Sequence, residues 1–309
     1  TQLEGTRDHD VCLAVLPPTG GRQRSLSCNL TPLGNQRTES LESAAAATDG
    51  RLAFLAASGS VGSLVPSVQE LSLATVADPV TRTSLLAIPY TISGRPTHSG
   101  ISQLRWLGPN RLVYLGEAVN VLSLCDGCER DTVHSGLDAV WLDLTAGASP
   151  QTIAGATNAS GVSPGSTEDE VYFTLNGDTR VFRETLSTGA ATAVFDFAAA
   201  GIVRDVHVVG SRMAVVVGGR VHFTDDPIVG ATQFDSGGVV HVVDLSDGSD
   251  VALTGSTDRG LYRRPQLSPS GTQVVVERYP LIIINNTSIG GTIDTSVARD
   301  ADLYLTGQP

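Results

Sequence analysis

A short pattern recurs five times along this chain of 309 residues: a turn segment is followed by a run of at least four mostly apolar residues. The turns contain Gly, Asn, Ser or acidic residues, and several of them end in Arg. The runs begin at Leu52, Leu112, Val171, Met213 and Gln273. Short runs of this kind, bounded by turn residues, are typical of buried strands. A chain that repeats one buried strand is expected to repeat the sheet around it.

The residues around each run predict three further strands. A more polar stretch precedes the run, as at 101–107 and 203–209, and an alternating stretch follows it, as at 240–245. A last strand, such as 192–197, closes the unit. Four antiparallel strands repeated head to tail are the blades of a β-propeller, whereas immunoglobulin-like repeats need about seven strands each. The 33 Gly and 15 Pro also suit many short strands and turns. The sequence therefore predicts an all-β protein with a single propeller domain over residues 1–309.

Long insertions separate the second and third strands of most predicted blades. The spacing between successive runs alternates between about 42 and about 60 residues, and the excess falls at 58–68, 116–137, 218–238 and 280–299. In a propeller the connections between second and third strands emerge on one face of the disc. Long loops on one face are a common place for binding residues. We therefore expect function to reside on this face.

One turn and one strand resemble a known family. Leu267-Ser268-Pro269-Ser270-Gly271-Thr272 looks like the Ser-Pro-Asp-Gly turn of TolB-like and WD40-like propellers, and residues 141–147 resemble the next strand and turn of that family. The resemblance spans about residues 40–309. It implies six blades, with five as the alternative. The hairpin at 11–28, within an N-terminal segment 1–40, is expected to complete the ring with the repeated blades 41–309, since closure protects edge strands.

The charge distribution argues against nucleic acid as a partner. The chain has 20 basic and 32 acidic residues, a net charge of −12, and all the basic residues are Arg. An acidic protein repels phosphate backbones unless it carries a local basic stripe. The densest basic spots, Arg22 with Arg24 and Arg263 with Arg264, are too small for such a stripe.

Four cysteines indicate an oxidising compartment. Cys12 and Cys28 flank the turn segment 17–21 almost symmetrically, so a hairpin would place them opposite each other, and we predict a disulfide there. For Cys125 and Cys128 a small disulfide that stiffens a long loop is favoured over a zinc or redox site, because neither further ligands nor a helix start are suggested. We expect a mature protein in the periplasm or outside the cell, with a lipid anchor upstream of Thr1 left open, and no transmembrane segment in the chain.

No set of residues predicts catalysis, a metal or a cofactor. The histidines are scattered and form no spaced metal pair: His9, His98, His134, His207, His222 and His241. The segment 161–165 matches the letters Gly-x-Ser-x-Gly but is interpreted as a turn inside a blade. Asp244, Asp247 and Asp250 around Gly248 resemble a calcium loop, yet an ordinary Asp-Gly hairpin turn is favoured.

The insertion 280–299 is the best candidate for partner binding. It begins with Leu281, Ile282, Ile283 and Ile284 and continues with Asn285 and Asn286. This segment either pairs edge to edge with another protein or simply extends its own blade. We therefore expect a non-enzymatic interaction scaffold or accessory subunit of a larger assembly, with association of that assembly with a membrane left open. The alternative is a small-ligand binder, lyase or hydrolase that uses the central channel.

Overall fold

The computed structural model describes part of the chain. Backbone is described for residues 12–15, 24–28, 37–60, 68–78, 81–89, 91–92, 95–96, 101–117, 137–145, 147, 149–218, 220–226, 230–236, 238–255, 261–279, 281–286, 293–298 and 302–307. Side chains are described for residues 44–56, 69–78, 81–87, 101, 103–116, 138–145, 147, 149–218, 238–255 and 262–278. Across these ranges every regular element is a β-strand.

The chain forms two compact units, residues 1–151 and 152–309. The strands of the first unit are β1 Cys12–Val15, β2 Arg24–Cys28, β3 Arg37–Ala46, β4 Arg51–Ser60, β5 Val68–Thr75, β6 Thr83–Pro89, β7 Thr91–Ile92, β8 Arg95–Pro96, β9 Ile101–Leu107, β10 Arg111–Glu117, β11 Leu137–Asp143 and, at its end, β12 Pro150–Thr152. The first sheet has the order β3-β4-β5-β6, and the second has β9-β10-β11 with β12 paired to β11. Separate hairpins are formed by β1 with β2 and by β7 with β8.

The second unit contains three more sheets. Its strands are β13 Ala159–Pro164, β14 Glu170–Leu175, β15 Arg180–Thr185, β16 Ala190–Asp196, β17 Val203–Val209, β18 Arg212–Val217, β19 Arg220–Asp226, β20 Gly230–Ser236, β21 Val239–Asp244, β22 Ser249–Ala252, β23 Leu261–Leu267, β24 Gln273–Tyr279, β25 Leu281–Asn286, β26 Ile293–Ala298 and β27 Asp302–Gly307. Strands β13, β14, β15 and β16 pair in that order, and we call these four strands the third sheet. The fourth sheet has the order β17-β18-β21-β22, and the fifth has β23-β24-β27. The strands of these three sheets pair in antiparallel fashion.

The five predicted runs are confirmed as the second strands of the five sheets. The fourth sheet shows why such a strand is apolar along its whole length. Met213, Val215 and Val217 pack with residues of the third sheet, while Ala214 and Val216 pack with residues of the fifth. Because alternate residues point to opposite faces, a strand between two sheets has no polar face. Full burial of each Val or Met side chain contributes roughly 1.5–3 kcal/mol.

A clasp recurs at the end of the sheets where the second strand begins. The backbone N–H that follows the third strand donates to the carbonyl that precedes the second strand: Val76 to Gly50, Leu144 to Asn110, Leu186 to Asp169 and Leu245 to Ser211. In two sheets an ion pair closes the same end, since Arg111 lies 3.2 Å from Asp143 and Arg212 lies 3.3 Å from Asp244. The repeat is thus one of hydrogen bonding as well as of apolar pattern.

The contacts of Asp143 at this end of the second sheet predict that thermal stability depends on pH. The hydroxyl and backbone N–H of Thr145, followed by the Arg111 guanidinium, lower the pKa of Asp143 from 3.8 to about 2. A carboxyl with a lowered folded-state pKa stabilises the fold above its unfolded-state pKa, and this stabilisation is lost as the pH falls towards the folded-state value. Wild type should therefore melt above Asp143→Asn at pH 5, and the gap should close between about pH 4 and about pH 2 in calorimetry. A gap of equal size throughout would contradict this assignment.

Two predicted loops are hairpins that extend the blades. Val217 is paired with Val239 and Arg220 with Ser236, so β19–β20 continues the β18–β21 ladder without a register shift. Likewise, Arg278 is paired with Asp302, and β25–β26 continues that ladder with a shift of one residue. We call β19–β20 the first arm and β25–β26 the second arm. Strand geometry gives each a length of about 20 Å.

Candidate functional site

The arms and the starts of the first strands lie at the same end of each sheet. In the fourth sheet Val203, the first residue of β17, is paired with Val217, beyond which the first arm begins. In the fifth sheet Leu261 is paired with Tyr279, beyond which the second arm begins. We call this end of the fourth and fifth sheets the arm end.

The first strand of every sheet carries a break in register. The breaks lie opposite or between Leu41/Ser43, Val113/Leu115, Ala159/Gly161, Val203/Asp205 and Arg263/Gln266. Two of the inserted stretches contain a residue with positive φ that is not Gly, namely Gln103 at 54° and Arg264 at 49°. β-Bulges redirect side chains and are frequent beside functional sites. In the fourth sheet the bulge lies at the arm end, and in the fifth sheet it lies halfway along β23, opposite Val276. We take the arm end as the candidate site because both arms begin there.

Side chains of β13 join the third sheet to the fourth. The Ser160 hydroxyl donates to the Val203 carbonyl at 3.1 Å, and the backbone N–H of Val208 donates to Ser163 Oγ at 2.9 Å. Gly161 lets the two strands approach, because a Cβ there would lie 2.9 Å from the Asp205 Cα. Neighbouring first strands in this unit are therefore held at a fixed spacing.

Side chains of β17 join the fourth sheet to the fifth in a similar way. Asp205, which is 5% exposed, accepts the backbone N–H of Arg264 at 2.9 Å through Oδ2 and that of Val206 at 2.8 Å through Oδ1. His207 Nδ1 accepts the backbone N–H of Leu267 at 2.9 Å. The Asp and His on this strand thus hold the neighbouring strand in place.

The structure shows the contacts of several residues that the sequence pattern singled out. The Asp-Gly turn is confirmed, since the N–H of Gly248 donates to the Asp244 carbonyl at 2.8 Å with φ of 74°. Its carboxylates have separate partners: Asp244 contacts Ser246, Asp247 contacts the N–H of Ser249, and Asp250 contacts His241 Nδ1 at 2.9 Å. Over the described residues, no group of three His, Cys, Asp or Glu side chains could hold a metal ion.

The interpretation of segment 161–165 as a turn was wrong. Residues 161–164 belong to strand β13, and Ser163 is fully buried. Its hydroxyl donates to the Pro164 carbonyl while accepting the N–H of Val208. Residues 161–164 pair with β14, and a register shift between Ala159 and Gly161 precedes them. By contrast, the turn at 268–272 is confirmed, with Gly271 at φ of 70°.

The hairpin of β1 and β2 places Cys12 opposite Cys28 in the backbone register. This is the arrangement that the predicted disulfide requires, and the disulfide itself stays a prediction. Cys125, Cys128, His9, His98 and His134 lie outside the described residues. His222 lies on β19, and Leu281, Ile282, Ile283, Ile284, Asn285 and Asn286 form β25; their side chains lie outside the described part.

Sequence reasoning missed the hydrogen bonds between sheets. Their signal was the alternation of polar Asp205 and His207 with buried Val206 and Val208 on one strand. A polar residue enclosed by apolar ones needs a hydrogen-bond partner. None of the described residues forms a helix of the length and apolarity that a membrane span requires.

The architecture matches that of solved propellers. TolB from Acinetobacter baumannii is similar over 87% of this chain and 57% of that chain, with 13% identity and a TM-score of 0.51. This chain therefore spans little more than half the length of that TolB. A putative TolB from Agrobacterium tumefaciens covers 84% of this chain and 74% of that chain, with 14% identity and a TM-score of 0.48. An oligogalacturonate lyase in complex with manganese covers 93% and 69%, with 10% identity and a TM-score of 0.48.

No protein-family model matches the sequence, and no curated protein matches it. The similarity to the Acinetobacter TolB, together with the repeated antiparallel sheets, identifies the fold as a β-propeller built of four-stranded blades. The predicted fold class is thereby confirmed. The number of blades, the closure of the ring by the N-terminal hairpin and the single-domain assignment stay predictions.

Proposed function

We propose that this protein is a non-enzymatic propeller that binds a protein partner at its arm end and acts as a scaffold or accessory subunit of a larger assembly. The observation that carries the proposal is the extension of β18 and β21 in the fourth sheet, and of β24 and β27 in the fifth, into two-stranded arms. Within the described residues each arm strand pairs only with its own partner strand. Each arm therefore has two edges whose backbone groups are available for a third strand.

The second arm is the stronger candidate of the two. Its strand β25 starts with four consecutive aliphatic residues, whereas polar or charged residues separate the larger apolar residues in the strands of the first arm. Strand addition at an edge supplies main-chain hydrogen bonds, and alternate side chains supply specificity. Extension of its own blade and pairing with a partner are compatible, since the extension is what leaves the edges unpaired.

The bonding of the first strands favours binding over catalysis. A channel enzyme needs acid and base side chains that can reach a substrate. On β17 the two such candidates, Asp205 and His207, both accept backbone N–H groups of the fifth sheet. These bonds support a structural role for both side chains. Binding at the arm end is accordingly preferred to a lyase or hydrolase reaction in the channel.

Hydrogen exchange tests the proposed interface. The protein is purified from its native source with its copurifying partner, and exchange is compared with that of the free protein. Amides within 281–298 should exchange at least about tenfold more slowly in the complex, because edge pairing protects backbone N–H groups. Protection confined to the opposite end of the sheets would contradict the proposal.

Matched deletions give an independent test. In one variant residues 281–298 are replaced by Asn-Gly, and in the control residues 220–236 are replaced by the same turn, which favours a tight hairpin. The first variant should lose the purified partner and the control should keep it. Equal binding by both variants would contradict the assignment to the second arm.

An extracytoplasmic location is part of the same proposal, supported by the register of Cys12 and Cys28. Disulfides persist in the periplasm and outside cells. Peptide mapping of the protein from its native source, without reduction, should recover one peptide that links Cys12 to Cys28. The link should disappear on reduction. Recovery of both cysteines as free thiols would contradict this location.

A further inference from the structure

The bulges of β17 and β23 carry three arginines in a chain that is acidic overall. Arg204 is the extra residue in the bulge of β17, and Arg263 and Arg264 lie at the bulge of β23. The chain as a whole has a net charge of −12. Three arginines on two neighbouring strands contrast with this overall charge.

Hydrogen bonding brings the two bulges side by side. Asp205 directly follows Arg204, and its carboxylate accepts the backbone N–H of Arg264 at 2.9 Å. The Arg204 Nε donates to the Gly218 carbonyl at 3.3 Å, at the base of the first arm. Arg204 and Arg264 are thus anchored on adjacent first strands, one of them beside the start of an arm.

The nearby carboxylates are engaged. Both oxygens of Asp205 accept backbone N–H groups, from Val206 and Arg264. Glu277 lies opposite Arg263 in the register and accepts from Arg264 Nη1 at 3.1 Å. The Arg264 side chain remains 47% exposed although it contacts Glu277.

The backbone at Arg264 adds a second observation. Its φ of 49° is in the left-handed region, which side chains other than Gly, Asn and Asp seldom adopt. Strain of this kind persists where the surrounding structure enforces it, and it is concentrated at ligand sites. Here the N–H of Arg264 is bonded to Asp205, which fixes the residue beside the bulge of β17.

We propose that Arg204, Arg263 and Arg264 form a binding site for an anionic oxygen group, a carboxylate or a phosphate. The planar guanidinium donates two parallel hydrogen bonds to either group. A low protein dielectric behind the bulges strengthens such bonds relative to water. The group is either a free small anion or an acidic side chain of a protein partner, and the site is independent of whether the second arm binds that partner.

Titration calorimetry at low ionic strength tests the site with two probes, inorganic phosphate and a hexaglutamate peptide, with hexaglutamine as the neutral control. The double variant Arg204→Gln/Arg264→Gln should weaken binding at least about tenfold, since each charged hydrogen bond contributes to affinity. The variant Arg180→Gln is the control, because that exposed arginine pairs with Asp178 on the third sheet, and it should bind within about twofold of wild type.

The outcomes separate the sources of the anion. Binding of phosphate alone assigns the site to a free anion, and binding of the peptide, with or without phosphate, assigns it to acidic side chains. Absence of binding by both probes, or equal binding by wild type and the double variant, overturns the proposal. Thermal unfolding of each variant distinguishes a lost site from a lost fold, and the single variant Arg263→Gln, at an exposed position, repeats the test if the double variant is unstable.

Discussion

Replacement of Glu184 by alanine should lower the free energy of unfolding of the second unit by about 3 kcal/mol, because two backbone N–H groups lose a carboxylate acceptor. Glu184 on β15 is 1% exposed, and its carboxylate oxygens accept the N–H groups of Ala154 at 3.1 Å and Gly155 at 2.8 Å. A hydrogen bond to a carboxylate contributes about 1.5–3 kcal/mol, and the lower end of this range applies here because Ala154 is exposed and Gly155 is half-buried. The carboxylate fastens the turn before β13 to the interior of the third sheet.

Calorimetry should show this loss as a decrease of about 6–12 °C in the midpoint of thermal unfolding. Glu184→Gln keeps the volume but supplies only one acceptor oxygen, so an intermediate decrease is expected. Thr192→Ala, at an exposed position on the neighbouring β16, is the control and should change stability by less than about 0.5 kcal/mol. If Glu184→Ala melts with the control, the carboxylate does not hold the turn.

Gly161→Ala should destabilise the same unit by about 2 kcal/mol, within the range for overpacked interiors. A Cβ at Gly161 would lie 2.9 Å from the Asp205 Cα, 2.9 Å from Thr174 Oγ1 and 3.0 Å from the Val206 nitrogen. Two of these atoms are backbone and cannot rotate away. The first strands would have to separate, which strains the bonds from Ser160 and Ser163 to the fourth sheet.

A second glycine in a strand provides the comparison. At Gly116 a new Cβ would meet only the Val140 and Tyr114 side chains and a carbonyl, at 3.4 Å or more. Gly116→Ala should therefore be neutral or slightly stabilising, because alanine reduces the entropy of the unfolded chain. Denaturant unfolding of both variants checks the pair. Equal effects would show that the contact between β13 and β17 is looser than its distances indicate.

The repeat could be predicted from sequence because it depends on local pattern. The run from Met213 to Val217 is apolar at every position, and a strand enclosed on both faces requires this. The first arm was harder to predict. Residues 218–238 contain too few consecutive apolar residues to predict strands, and their pairing follows from the register that β18 and β21 impose.

The hydrogen bonds at the arm end could not be predicted because they join residues far apart in sequence. Asp205 contacts the N–H of Arg264, and His207 that of Leu267. Both depend on the bulges, which shift the strand by one residue and have no distinct sequence pattern. The identity of the candidate site residues therefore emerges only when neighbouring sheets are placed together.

The continuous register of the first arm determines which insertions such a protein can accept during evolution. Lengthening both strands by one residue would extend the ribbon by about 3.3 Å but exchange its two faces, whereas lengthening both by two would preserve the faces. The pairing of β18 with β21 is the same in either case, so the fourth sheet itself is unchanged. Insertions of two residues in each strand can therefore lengthen the arm without changing the residues that pack in the core.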